Sequence, residues 1–254
     1  LVGSEMCIRD SPGNIAQGII WGLMGLGVFL TFKLLNFADL SVDGSFATGG
    51  AVTAVMLIKG CPVWATIIVA ILAGLAAGLV TGLLHTLLGI PDILAGILTQ
   101  IALYSINLNI MGKSNLPISY RNYTLVVSAS NINMAILVGL GICAVVVAAM
   151  YWYFGTEQGS TIRSTGSNPA MSKAQGININ FTKVIALALS NGLVALSGSL
   201  FAQYQGFADI NMGRGAIVIG LAAVIIGEVL GEAIFRKHMN FIIRMLFVIV
   251  GGIL

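Results

Sequence analysis

The sequence predicts an all-α, polytopic membrane protein, and three features carry the prediction. Only 8% of the residues are charged, against about 25% in an average soluble domain. Hydrophobic residues reach 57% and mean hydropathy is +0.99, so the chain cannot cover a soluble surface. The apolar residues are also gathered into runs that meet the roughly 20 residues needed to cross a bilayer. The 32 glycines fit closely packed membrane helices, where small residues let backbones approach. A net charge of +3 gives no basis for nucleic-acid binding. Cys7, Cys61 and Cys143 have neither metal nor redox spacing and are read as small apolar residues.

Residues 1–11, LVGSEMCIRDS, differ in charge density from everything that follows. They lack the basic start and apolar core of a signal peptide. They resemble a translated sequencing-adapter string, so Glu5, Arg9 and Asp10 are left out of the fold reading. Pro12 and Gly13 are expected to break the chain before the first span. The chain stops at Leu254 inside an apolar run, and both ends are read as artificial. Residues 12–254 are then one transmembrane domain.

Apolar runs predict spans over Asn14–Leu35, Val63–Leu84, Ile90–Met111, Asn133–Phe154, Thr182–Tyr204 and Gly213–Phe235, with a further one starting at Asn240. Phe46–Ile58 is apolar but reaches only about 20 Å at 1.5 Å per residue, too short for a bilayer. The expectation is seven or eight spans, one of them short and broken or re-entrant. The polar stretch from Lys113 to Asn131, with Tyr120 and Tyr123, is expected as an external loop.

The segment from Gly155 to Phe181 turns polar. Asn168 is a preferred N-cap, Pro169 suits the first helical position, and Gly176 suits the left-handed residue closing a helix. A short helix over Pro169–Gln175, held outside the lipid, is predicted. If this segment is cytoplasmic, Lys33, Arg163, Lys173, Lys183, Arg236 and Lys237 fall inside. Lys59, Lys113, Arg121 and Arg214 then fall outside, a weak positive-inside bias.

Asp39 and Asp43 stand four residues apart before the short span and would repel on one continuous helix. A chain break near Ser41–Gly44 relieves this, with Asp43 capping the helix that follows. Either this is a tight interfacial turn, or it is a broken helix whose freed end faces a polar solute. Gln100, Asn107 and Asn109 on one span and Asn191 on another are either interhelical glue or a solute path. His85, near a span end, reads as interfacial. The sequence carries no His-Glu-x-x-His pair, Gly-x-Ser-x-Gly elbow or Gly-x-x-x-x-Gly-Lys loop. Mid-membrane carboxylates paired with Lys or Arg, often used for ion coupling, are also missing. The reading is a non-catalytic transporter, without cofactor or metal, that draws energy from elsewhere.

The run Arg163-Ser164-Thr165-Gly166-Ser167-Asn168-Pro169-Ala170, followed by Gly176-Ile177, resembles the coupling loop of ABC importer permeases of the ribose and branched-chain amino acid type. Ser164 and Met171 stand where that loop usually has alanine. NFADLSVDGSF (Asn36–Phe46) and the stretch from Gly206 to Glu228 look like permeases for tryptophan, tyrosine or related amino acids. The resemblance covers about Ile15 to Leu230, and Arg214 replaces an expected small or uncharged residue. It implies a multi-pass protein of the bacterial plasma membrane that dimerises with a second permease, identical or not. It further implies two ABC ATPase subunits and an extracytoplasmic solute-binding protein. Arg163, Ser164, Gly166, Asn168, Pro169 and Gly176 would then couple to the ATPase, while Asp39, Asp43, Gln100, Asn107 and Asn191 are the candidate solute path. A secondary transporter or channel with the loop as a connector is the alternative, and sugars or nucleosides are the alternative cargo.

Overall fold

The computed structural model describes residues 2–118, 127, 132–235 and 240–254, with side chains described from residue 12 onward except at 133 and 235. The long helices are α1 (Val2–Phe29), α2 (Ser41–Ile58), α3 (Val63–Leu88), α4 (Asp92–Met111), α5 (Ile132–Phe154), α8 (Ile179–Gln205) and α9 (Ala216–Phe235). Seven described helices are long and apolar enough to cross a membrane, and α10 (Phe241–Ile253) is a shorter apolar one. Two short helices, α6 (Glu157–Ser167) and α7 (Pro169–Ala174), fill the polar segment.

Helices α1, α2 and α8 form the core. Of the span windows, 78% of α8 is buried against 28% of α4, so the apolar outer faces belong to the peripheral helices. Trp21, Phe46 and Phe201 bring the three core helices together, with Trp21 stacked on Phe46 at 5.2 Å and 9°. Gly198 lies directly on the carbonyl of Phe46, where any β-carbon would collide with backbone. That close approach lets α2 and α8 gain van der Waals contact, which drives helix association where lipid is as apolar as protein. Three serine-to-carbonyl or tyrosine-to-carbonyl bonds tie α8 to α1 along its length: Tyr204 to Gly13, Ser197 to Ile20 and Ser190 to Gly27. These pairs run in opposite order, so α1 and α8 are antiparallel.

Several expectations are corrected. Pro12 does not end the chain's helix: α1 runs through it, since a proline removes one backbone bond and membrane helices tolerate that loss. The side chains of residues 1–11 lie outside those described. The short span is not short. Helix α2 starts at Ser41 and has 18 residues, because the chain breaks earlier, after the π-helical turn Leu30–Leu34 that ends α1. Asn36, the one described non-glycine residue with positive φ (54°), marks that break. The predicted loop from Lys113 to Asn131 lies largely outside the described residues, with Tyr120, Tyr123 and Arg121. Its first part forms strand β1 (Asn115–Pro117), antiparallel to β2 (Phe207–Asp209). This two-stranded patch and the α6–α7 pair occupy opposite ends of the helix bundle.

Candidate functional site

At one end, α6 and α7 form a capped helical pair. Asn168 closes α6 and opens α7: its extended backbone carries an Oδ1 that accepts the Met171 N–H at 3.0 Å, and Pro169 takes the first helical position. Gly176, at φ 82°, ends the turn as expected. Helix α7 stops at Ala174, one residue short of the predicted Gln175. Its Ser172 is buried and bonds the Asn168 carbonyl, while Pro169, Ala170, Met171 and Lys173 face outward. Met171 is 59% exposed, a large apolar side chain presented on a rigid element.

The base of the pair is α6, which sequence reasoning missed. It is anchored by the fold, with Ile162 and Thr165 buried. Gly166 seats on the Leu34 carbonyl of the π-helical turn, and Gly159 on the backbone of Phe154. Ser164 bonds back to the Thr161 carbonyl at 3.0 Å. Arg163 turns toward its own chain: Nη2 donates to the Phe154 carbonyl at 2.9 Å, and the guanidinium lies 5.9 Å from the Phe241 ring centre. Beside this anchor, Lys33 of the π-helical turn pairs with Glu228 of α9 at 2.9 Å. Near the same end, Lys183 Nζ lies 3.0 Å from His85 Nε2, which agrees with an interfacial histidine.

Deeper in the bundle lies a saturated polar knot. Asp39 Oδ1 accepts both the N–H and the Oγ–H of Ser41, at 2.9 and 2.5 Å, and its Oδ2 accepts Asn191 Nδ2 at 2.8 Å. Asn191 Oδ1 in turn accepts from Ser45 at 2.5 Å and lies 3.1 Å from Ser41 Oγ, whose one proton goes to Asp39. All four residues are buried. Asp39, not Asp43, therefore satisfies the first turn of α2. The bonds join α2 to the middle of α8, so Asn191 acts as interhelical glue.

Asp43 has a different partner. Its carboxylate accepts the N–H groups of Gly215 at 3.1 Å and Ile217 at 2.9 Å, across the bundle. It thus caps α9, and a negative charge suits the positive end of that helix dipole. Two helices therefore start at the depth of Asn191, α2 and α9, each on a carboxylate of this chain. Arg214 accordingly belongs to the segment that re-enters beside Asp43 and not to an outer loop.

Next to Asp43 is a cavity of about 310 Å³, lined by Asp43, Gly44, Ala47, Gln100, Ile101, Tyr104, Asn107, Ile210 and Arg214. Of the predicted path residues, Asp43, Gln100 and Asn107 meet here, whereas Asp39 and Asn191 are engaged in the knot. Asn109 is exposed. Asn107 is fully buried, and neither its Nδ2 nor its Oδ1 has a partner. Tyr104 was absent from the sequence-derived site, although its spacing from Gln100 and Asn107 places all three on one face of α4.

The comparisons with known proteins agree with this architecture. Residues 13–254 match the family described as the permease component of branched-chain amino acid transport systems. The tyrosine transport system permease protein of Clostridioides difficile is 44% identical over 239 residues, covering 94% of this chain and 78% of the relative. The D-allose transport system permease protein of Escherichia coli is 26% identical over 94% of this chain and 71% of its own. The ribose import permease protein of Haemophilus influenzae is 28% identical over 80% of this chain and 64% of its own. No solved structure matches. The chain belongs to the permease family of branched-chain amino acid transport systems and is a multi-pass protein of the bacterial plasma membrane.

Proposed function

We propose that the chain is the non-catalytic permease subunit of an ATP-driven importer whose cargo is an amino acid. The observation that carries this reading is the α6–α7 pair. It is a doubly capped, outward-facing helical element seated on the π-helical turn between α1 and α2. A connector between two spans needs no such anchoring. An ATPase subunit docks on α7 and the exposed edge of α6, through Pro169, Ala170 and Met171. Two ATPase copies serve a pair of permeases, and an extracytoplasmic binding protein delivers the solute at the β1–β2 end. The α6–α7 end is then cytoplasmic.

The geometry supplies a route for force. Displacement of α6 bears on the Leu34 carbonyl through Gly166 and hence on the π-helical turn. That turn is linked to α9 by the Lys33–Glu228 pair. Helix α9 runs from Glu228 back to its first turn at Asp43, the wall of the cavity. Motion at the docking end thereby reaches Asp43, Gln100 and Asn107, the solute path. The amino-acid cargo rests on the likeness to the tyrosine permease.

The test is reconstitution of the full-length permease in proteoliposomes with the ATPase and binding protein encoded beside it. ATPase co-purification and ATP-dependent uptake of a radiolabelled amino acid are expected. Uptake driven by an ion gradient, without ATPase, would overturn the reading in favour of a secondary transporter.

A further inference from the structure

We propose that Arg214 is a carboxylate-binding residue of the α2–α4–α9 cavity, so that the solute passing it is a carboxylate-bearing one. This rests on the permease reading above.

The first argument is depth. Asp43 lies between Ser41 and Ser45, which both contact Asn191 at the middle of α8. Gly213 packs on the Asp43 carbonyl and Gly215 donates to its carboxylate, so Arg214 is held at the same level. An ionisable residue at that depth is costly and points to function by default.

The second argument is partnership. The ion pairs among the described residues are Lys33–Glu228, Arg244–Glu228 and His85–Asp92, and none includes Arg214. Its guanidinium lies 6.0 Å from the Tyr104 ring centre. Asp43, the nearby acid, already accepts two backbone N–H groups. A planar guanidinium fork that lacks a protein anion matches a carboxylate bidentately.

The third argument is what surrounds the cation. Gln100, Tyr104 and Asn107 are spaced i, i+4, i+7 on α4 and all line the cavity. Asn107 offers a buried donor and acceptor that the protein leaves unmatched. Leaving such a group unmatched is costly, which marks this wall of the cavity as polar by selection and not by packing. A zwitterion fits the cavity: its carboxylate goes to Arg214, and its ammonium to the free lone pairs of Asp43. Its side chain lies along Tyr104 and Ile101. The volume sits at the small end of the roughly 300–1,000 Å³ range of ligand cavities. A neutral sugar or nucleoside has no anionic group to pair bidentately with the guanidinium.

The test uses the reconstituted permease–ATPase system with its binding protein, and L-tyrosine, L-leucine, D-ribose and uridine as labelled probes. The wild type should accumulate one of the two amino acids. Arg214→Gln should cut that uptake about tenfold, the loss of one charge-assisted hydrogen-bonded pair. ATPase co-purification should persist, because Arg214 is remote from α6–α7. Unchanged uptake by Arg214→Gln overturns the proposal. If Arg214→Gln does not reach the membrane, Arg214→Lys decides: it keeps the charge but loses the fork, and wild-type uptake by it overturns the proposal while slowed uptake supports it. ATP-driven accumulation of D-ribose or uridine with neither amino acid overturns the carboxylate assignment and leaves the permease reading standing. Failure of the wild type to bind the ATPase at all removes the permease reading, and this inference with it.

Discussion

Gly166 of α6 lies on the carbonyl oxygen of Leu34 with no space for a β-carbon between them. The contact joins the outward-facing helical pair to the π-helical turn that separates the first two spans. A methyl group at this position must push α6 away from the turn, at a cost of about 1–3 kcal/mol. Gly166→Ala should therefore lower ATP-driven uptake by about tenfold, with membrane abundance close to wild type. Parallel quantification of uptake and membrane protein checks this. Uptake that matches wild type would show that α6 does not transmit force through Leu34.

The cap at Asn168 gives a graded test of the same element. Asn168→Ala removes the acceptor for Met171 N–H and should cost α7 about 1 kcal/mol. Pro169→Gly releases the preset first turn and adds backbone freedom, at a comparable cost of about 1 kcal/mol. Both should weaken ATPase co-purification and uptake severalfold while insertion is unaffected, and the double variant should be worse than either. Normal uptake by Pro169→Gly in vesicles would count against a coupling role for α7.

Sequence legibility followed the type of signal each element carries. The spans were readable because lipid-facing helices must be apolar along their whole length, and the boundaries of α5, Ile132–Phe154, fell within a residue of expectation. The α7 cap was readable because Asn168, Pro169 and Gly176 act on their own backbone. Helix α6 was not, because its Gly159, Ser160, Thr161 and Ser164 are weak helix formers and its stability comes from packing on residues 34 and 154. Asp43 was expected to cap α2 and instead caps α9, for a similar reason. Either of Asp39 and Asp43 can cap a nearby helix, and only the fold brings the α9 N-terminus to Asp43. Strands β1 and β2 pair across some ninety residues and are three residues each, too short for any periodic pattern.

Asn191 supplies both an acceptor to Ser45 and a donor to Asp39. Asn191→Leu would leave the Asp39 carboxylate short of one partner and Ser45 without its acceptor. The expected loss is about 2–4 kcal/mol, since each orphaned buried polar group costs about 1–3 kcal/mol. The readout is the apparent melting temperature of the detergent-purified protein, which should fall by several degrees, together with lower yield. Asn191→Asp should be worse still, because it sets a second carboxylate against Asp39 in a dry site. A melting temperature equal to wild type for Asn191→Leu would mean that the knot is not structural glue.

Asp43 caps α9 and is also proposed to meet the solute, and two substitutions separate these roles. Asp43→Asn keeps an acceptor oxygen for one of the two N–H groups of α9 but loses the charge facing the helix dipole, at a cost of about 0.5–2 kcal/mol. Asp43→Ala strands the N–H groups of both Gly215 and Ile217 and should cost about 2–4 kcal/mol. If Asp43 only capped α9, uptake would follow stability, and Asp43→Asn would transport nearly as wild type. Because Asp43 also lines the cavity, Asp43→Asn should lose uptake out of proportion to its small change in melting temperature. The comparison of the two variants by melting temperature and by initial uptake rate decides it. A single line relating uptake to stability across wild type, Asp43→Asn and Asp43→Ala would reduce Asp43 to a helix cap and leave the polar contact with the solute to Gln100 and Asn107.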